Sequence, residues 1–200
     1  MESLVLSMIT FAFAGAVTPG PVNIIAATCG AQYGLRKALV YVFGAAVSYA
    51  IIVLLSGLAI GSLLLTLPTF TFYLRLIGST FLIYLSYKIA TTPTKPLEEC
   101  DIGQHAPGFH KGALTQLLNP KAWLYASSGV SLFTVGKGTS DLHLPIFIII
   151  SLGVCLFGVG VWAFFGQAIG KWLNSAQRQR AFNWTMGLLL TATVLVMWWT

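Results

Sequence analysis

Thr18-Pro19-Gly20-Pro21-Val22-Asn23 and Asn119-Pro120-Lys121 are the two stretches whose residue types and spacing could do chemistry. Proline has no amide hydrogen and disfavours helical geometry in the residue before it. Within helices, Pro19 and Pro21 would therefore deprive the carbonyls of Gly15 and Val17 of their donors, and Pro120 would do the same to Gln116. The chemistry this offers is binding. Freed carbonyls accept from a cation, amides at the start of a new helix hold an anion, and Lys121 pairs with a carboxylate. Asn23 and Asn119 suit either capping of the broken helices or ligand contact. Nowhere is a nucleophile paired with a base or one carboxylate with another, so no catalytic residue and no enzymatic activity are assigned.

The elements that hold these motifs are apolar helices. Only 16 of 200 residues carry formal charge, 8 % where about 25 % is usual, and stretches 3–35, 38–74, 142–170 and 181–200 carry none. That excludes a soluble globular domain. A hydrocarbon core about 30 Å thick needs roughly 20 apolar residues of helix. The chain is expected to be all-α, a single transmembrane domain over residues 1–200 with six spans at about 4–29, 38–65, 70–90, 112–134, 143–168 and 180–198. Turns are expected at Gly30–Lys37, around Pro68, at Gly136–Asp141 and at Lys171–Arg180, with a longer polar loop over 91–110. Glu2 without a nearby Lys or Arg argues against a cleaved secretory leader.

The net charge of +6 is topological. Arg36, Lys37, Lys88, Lys95, Lys111, Lys171, Arg178 and Arg180 fall on one side of the six-span arrangement, and Arg75 and Lys137 on the other. The positive-inside rule makes the first side cytoplasmic, the loop at 91–110 included, and both termini extracytoplasmic. The partner is then a lipid bilayer and no nucleic acid. Arg75 and Lys88, about 20 Å apart along a helix, must snorkel to opposite edges unless one faces a polar interior. Trp172, Trp184, Trp198 and Trp199 suit interfacial anchoring. The spacings Gly57/Gly61 and Gly166/Gly170 suit ordinary helix packing first and a dimer face second, which leaves a homo-oligomer open.

The first break lies about 10 residues from the cytoplasmic end of its span and the second about 8, so both fall roughly 12–15 Å deep, near the midplane. Spans one and four hold corresponding places in a 3+3 division, and three crossings reverse direction, so the halves would form an inverted repeat. Pro19 is matched with Pro120 in that comparison. Interrupted helices meeting at the midplane of inverted halves point to a secondary transporter's binding site. A membrane-embedded lysine costs at least about 2.5 kcal/mol and marks a functional site unless it snorkels to the interface.

At these residues the chain resembles the LysE/RhtB family of amino-acid exporters. The resemblance rests on Thr18-Pro19-Gly20-Pro21 with Asn23, on Gly34–Lys37, and on Leu118-Asn119-Pro120-Lys121-Ala122-Trp123, and it covers essentially the whole chain. Lys88-Ile89-Ala90-Thr91-Thr92-Pro93-Thr94 looks more like the cysteine and O-acetylserine exporter subgroup. One departure is Val22, standing between the Pro-Gly-Pro run and Asn23 where the family commonly has none. The resemblance implies a bacterial cell (inner) membrane protein that exports amino acids or close metabolites, coupled to an ion gradient and without a cofactor. Thr18, Pro19, Gly20, Pro21, Asn23, Asn119, Pro120 and Lys121 are the candidate substrate-binding residues.

All five acids, Glu2, Glu98, Glu99, Asp101 and Asp141, lie at the terminus or in loops. No carboxylate is placed to pair with a cationic side chain, so neutral substrates such as cysteine, O-acetylserine, threonine or homoserine are favoured over lysine. The coupling ion is expected to be a proton, with Lys121 as its carrier, because desolvation favours the neutral amine. Two other readings compete. A membrane thiol-disulfide conductor of distantly similar fold would place a Cys beside the broken helix, yet Cys29 is about two and a half turns from the break. A divalent-metal exporter could use Glu98, Glu99, Cys100, Asp101, His105 and His110, but their spacing matches no standard metal site, and none is assigned.

Overall fold

Cooperative helix formation from these apolar runs produces a bundle. The computed structural model describes residues 2–58, 68–92, 106–134 and 142–199, and among them all regular structure is helical. In chain order the described helices are α1 (Glu2–Val17), α2 (Pro21–Tyr33), α3 (Leu35–Gly57), α4 (Pro68–Ala90), α5 (Phe109–Leu117), α6 (Pro120–Phe133), α7 (His143–Gly170) and α8 (Ala176–Trp199). The expected first and fourth spans are each two helices. α1 and α2 meet at 63°, and α5 and α6 are separated by Leu118 and Asn119.

α3 and α7 are long and apolar enough to cross a membrane, and α1 with α2 qualifies as one broken crossing. Their 23 and 28 residues extend roughly 34 and 42 Å at 1.5 Å per residue. Outward faces carry exposed Ile149, Phe157, Leu188 and Leu195, the surface an apolar solvent accommodates.

Several helices run past the boundaries set by charge. α2 and α3 are joined by Gly34 alone, α5 includes Phe109 and His110, and α8 begins at Ala176 rather than at about residue 180. The physical reason is that a Lys or Arg ends an apolar run without ending the backbone hydrogen-bond ladder, since its long side chain reaches away from the helix axis. At Gly34 the reversal takes one residue at φ 80°, left-handed geometry that a side chain resists. Lys95, Lys137, Asp141, Gly61 and the loop residues Glu98, Glu99, Cys100, Asp101 and His105 lie outside the described residues.

Packing is closest along two seams. α2 lies on α7 and α3 on α5, and a Cβ placed on Gly30 would fall 2.0 Å from the Ala163 carbonyl oxygen, one on Gly166 2.0 Å from that of Ala27, and one on Gly112 2.0 Å from that of Tyr41. Small residues let backbones meet where no hydrophobic effect drives helices together. Gly166 and Gly170 both face α2, at Ala27 and Ala31, so this pair packs within the chain. α1 and α6 complete the central group through α7 and α3, whereas α4 and α8 pack chiefly on each other.

The seams draw the ends of α2, α3, α4, α7 and α8 together. Gln32 Nε2 donates to Asn183 Oδ1 at 2.8 Å, Asn183 Nδ2 to the Thr92 carbonyl at 3.4 Å and the Leu35 amide to Gln167 Oε1 at 2.9 Å. Phe109, at the start of α5, meets Gly44 of α3. Arg36, Lys37, Lys88, Lys111, Lys171, Arg178 and Arg180 all sit on segments that meet at this end. Lys88 is exposed over the Tyr84 ring.

Gly112→Ala and Gly166→Ala are each expected to cost about 1–3 kcal/mol by overpacking, seen as a lower thermal midpoint in detergent. Gly160→Ala, with nothing within 4 Å of its Cβ position, is the control and should leave the midpoint unchanged or raise it.

Candidate functional site

Both breaks are built with one local grammar. Pro21 and Pro120 each take the first helical position of α2 and α6, where the missing amide hydrogen costs nothing. Pro21, rather than Pro19, is thus the positional counterpart of Pro120. The residue before each proline is extended, Gly20 at φ −165° and Asn119 at φ −94°. Asn119 caps its helix, its Oδ1 accepting from the Lys121 amide at 3.2 Å, and its Nδ2 donates to Gln116 Oε1 at 3.4 Å.

The carbonyls released at the breaks are met by side chains. Asn23 Nδ2 donates to the carbonyls of Ala16 at 2.9 Å and Thr18 at 3.0 Å, and Trp162 Nε1 donates to that of Val17 at 3.2 Å. Trp123 Nε1 does the same for Leu117 at 2.9 Å. The Gln116 carbonyl, expected to be orphaned by Pro120, accepts instead from the Asn119 amide at 3.1 Å. A tightened turn there replaces the lost helical bond.

Lys121 reaches across from one break to the other. Its Nζ donates to the Thr18 carbonyl at 2.9 Å and sits 5.6 Å from the centre of the Tyr125 ring. An ammonium has three donors, so two remain beyond Thr18. This side chain extends towards the first break.

The two breaks enclose a small cavity of about 40 Å³ lined by Gly20, Asn23, Asn119 and Lys121 from the expected set, room for a few water molecules. Tyr49, Gln116, Tyr125 and Cys155 complete it, and none of these was singled out in the sequence. Gln116 had a signal, a lone amide one turn before Asn119 in an apolar run. The others had none, because facing across helices is invisible in one chain. Among the described residues, none that lines it is acidic.

Pro19, Pro21 and Pro120 line instead a larger apolar groove of about 900 Å³ between the α4–α8 pair and the rest, which also takes in Gly20, Asn119 and Lys121. Arg75 lines this groove. Thr18 contributes its carbonyl.

A family model described as LysE type translocator matches residues 13–197. The chain belongs to the LysE family. Its matched region contains both breaks, and its exporters of amino acids are multi-pass proteins of the inner membrane. Cysteine/O-acetylserine efflux proteins of Escherichia coli (strain K12) and Shigella sonnei (strain Ss046) are each 28 % identical over 182 residues, 90 % of this chain and 90 % of theirs. No solved structure gives a significant match. Among the described residues no three potential metal ligands cluster, and Cys29 lines neither cavity.

Asn23→Leu keeps much of the side-chain volume but removes the donor to the Ala16 and Thr18 carbonyls. Thr18 keeps its bond from Lys121, so the loss falls on the Ala16 carbonyl and is expected to cost about 1–3 kcal/mol, measured as a fall in thermal midpoint against wild type.

Proposed function

We propose that this chain exports a small neutral amino acid or close metabolite, with cysteine, O-acetylserine, threonine and homoserine favoured over lysine, by alternating access around the two breaks. The observation that carries the reading is Lys121, held by the Thr18 carbonyl in a cavity without an acidic lining residue among those described. A substrate carboxylate can take the two remaining ammonium donors, and the substrate ammonium can take break carbonyls. A cationic side chain would find no counter-ion. Thr18, Pro19, Gly20, Pro21, Asn23, Asn119, Pro120 and Lys121 form the proposed binding set, joined by Tyr49, Gln116 and Tyr125.

The proposed architecture is one transporter domain of six spans in a 3+3 inverted repeat, with the basic end cytoplasmic and both termini outside. What supports the repeat is the packing pattern. Exchanging α1 with α5, α2 with α6, α3 with α7 and α4 with α8 turns α2 on α7 into α6 on α3, α1 on α7 into α5 on α3, α2 on α3 into α6 on α7, and α2 on α8 into α6 on α4. Each of these contacts occurs. Pro21 and Pro120 coincide under the same exchange. The proposed coupling ion is a proton carried by Lys121, whose ammonium joins the two breaks.

Counterflow in proteoliposomes with labelled cysteine, O-acetylserine, threonine, homoserine, leucine and lysine tests the substrate class. Neutral substrates should exchange and lysine should not; lysine as the sole good substrate would overturn the reading. Lys121→Met should lower exchange at least about tenfold, equivalent to 1.4 kcal/mol. Lys121→Arg retains the charge but resists deprotonation. It is expected to lose uphill, proton-driven export while keeping part of the exchange, and full uphill export by this variant would remove Lys121 from the coupling step.

A further inference from the structure

Different contacts lie beyond the cavity towards the two ends of the bundle. Towards the basic end backbone lies on backbone, at Gly30 with Ala163, Gly166 with Ala27, Gly112 with Tyr41 and Gly44 with Phe109. Towards the opposite end lie rings. Tyr125 forms the cavity wall there, its ring so close to Gly15 that a Cβ would fall 2.7 Å away. Phe11, one turn before Gly15 on α1, lies 5.7 Å from the Tyr125 ring centre. Phe133 meets Phe11 edge-on at 5.6 Å, and Phe147 meets Phe133 at 5.6 Å. Gly129 leaves the space these rings occupy, since a Cβ there would stand 2.4 Å from Phe147 and 3.0 Å from Phe11.

Polar groups are set among these rings in a way that packing does not call for. Ser151 lies on α7 one turn from Cys155, which lines the cavity, and one turn from Phe147. It is fully buried, and its hydroxyl has no hydrogen-bond partner among the described residues. Ser56 and Ser127 place a second pair of hydroxyls 3.3 Å apart between α3 and α6. A buried hydroxyl without a partner is unfavourable in a static core. It is suited to a route along which a polar passenger or water moves.

We propose that Tyr125, Phe11, Phe133 and Phe147 form the exit gate of the transporter, opening by side-chain rotation to pass substrate from the cavity beside Ser151 to the end opposite the basic one. The inference rests on the export reading for its passenger. A ring leaves such a contact by turning about its own side-chain bonds, whereas a glycine seam parts only when whole helices move apart. Tyr125 touches the substrate; the three phenylalanines act by blocking the way.

The gate is tested with Cys29→Ser and Cys100→Ser combined, leaving Cys155 as the single thiol, in vesicles of both orientations exposed to a membrane-impermeant maleimide. Phe133→Ala and Phe11→Ala should each speed labelling of Cys155 at least about fivefold from the face at which α7 begins, and leave the rate from the Lys171 face unchanged. Phe133→Leu, which retains most of the packed volume, should give a smaller increase with the same sidedness. Labelling unchanged in all three variants, or increased equally from both faces, would overturn the gate. If no amino acid supported counterflow, the export reading would fall while the labelling result stood.

Discussion

A proline inside an apolar helix releases backbone carbonyls that hydrocarbon cannot hydrate, and every other arrangement here follows from meeting that demand internally. The Thr18 carbonyl accepts both the Asn23 amide and the Lys121 ammonium. That second bond spans 103 residues and ties one break to the other. A cation that would be costly alone in the membrane is stabilised by a carbonyl that would itself be costly, and the cavity forms where they meet. Trp162 and Trp123 answer the same demand at Val17 and Leu117, one indole per break.

Such a junction needs close and rigid support, which the glycine seams provide. α2 cannot hold Asn23 under Ala16 and Thr18 unless its own position on α7 is firm, and Gly30, Gly166 and Gly170 bring those backbones into contact. α5 is held on α3 in the same way through Gly112 and Gly44. The α4–α8 pair stands apart, joined by its own bonds, including Ser86 Oγ to the Gly187 carbonyl at 2.7 Å and Trp198 Nε1 to Ser79 Oγ at 2.7 Å. Between this pair and the rest lies the large apolar groove.

Much of this was legible residue by residue. Pro19, Pro21 and Pro120 marked the breaks because a missing amide hydrogen acts locally. The distribution of Lys and Arg marked one end because snorkelling and membrane orientation depend on sequence position. Less legible were the helix ends at Phe109 and Ala176, where charge was mistaken for the end of the backbone ladder, and at Tyr33, where Gly30 was taken for a turn but lies within the helix. The choice between Pro19 and Pro21 was equally hidden, since either could open a helix, and only the extended Gly20 shows which does.

By itself the sequence determined an apolar helical chain with two proline-broken helices, a lysine beside the second break, and acids that lie near the terminus or outside the long apolar runs. These properties depend on composition, local backbone chemistry and spacing. The tertiary structure alone decided that Lys121 ends on Thr18, that Asn23 closes its own break, that Tyr49, Gln116, Tyr125 and Cys155 complete the cavity, and that rings from α1, α6 and α7 lie beyond it. The physical reason is that helix rotation and depth follow from backbone contacts between glycines and small residues far apart in the chain, and no periodicity within one helix records which neighbour it will meet.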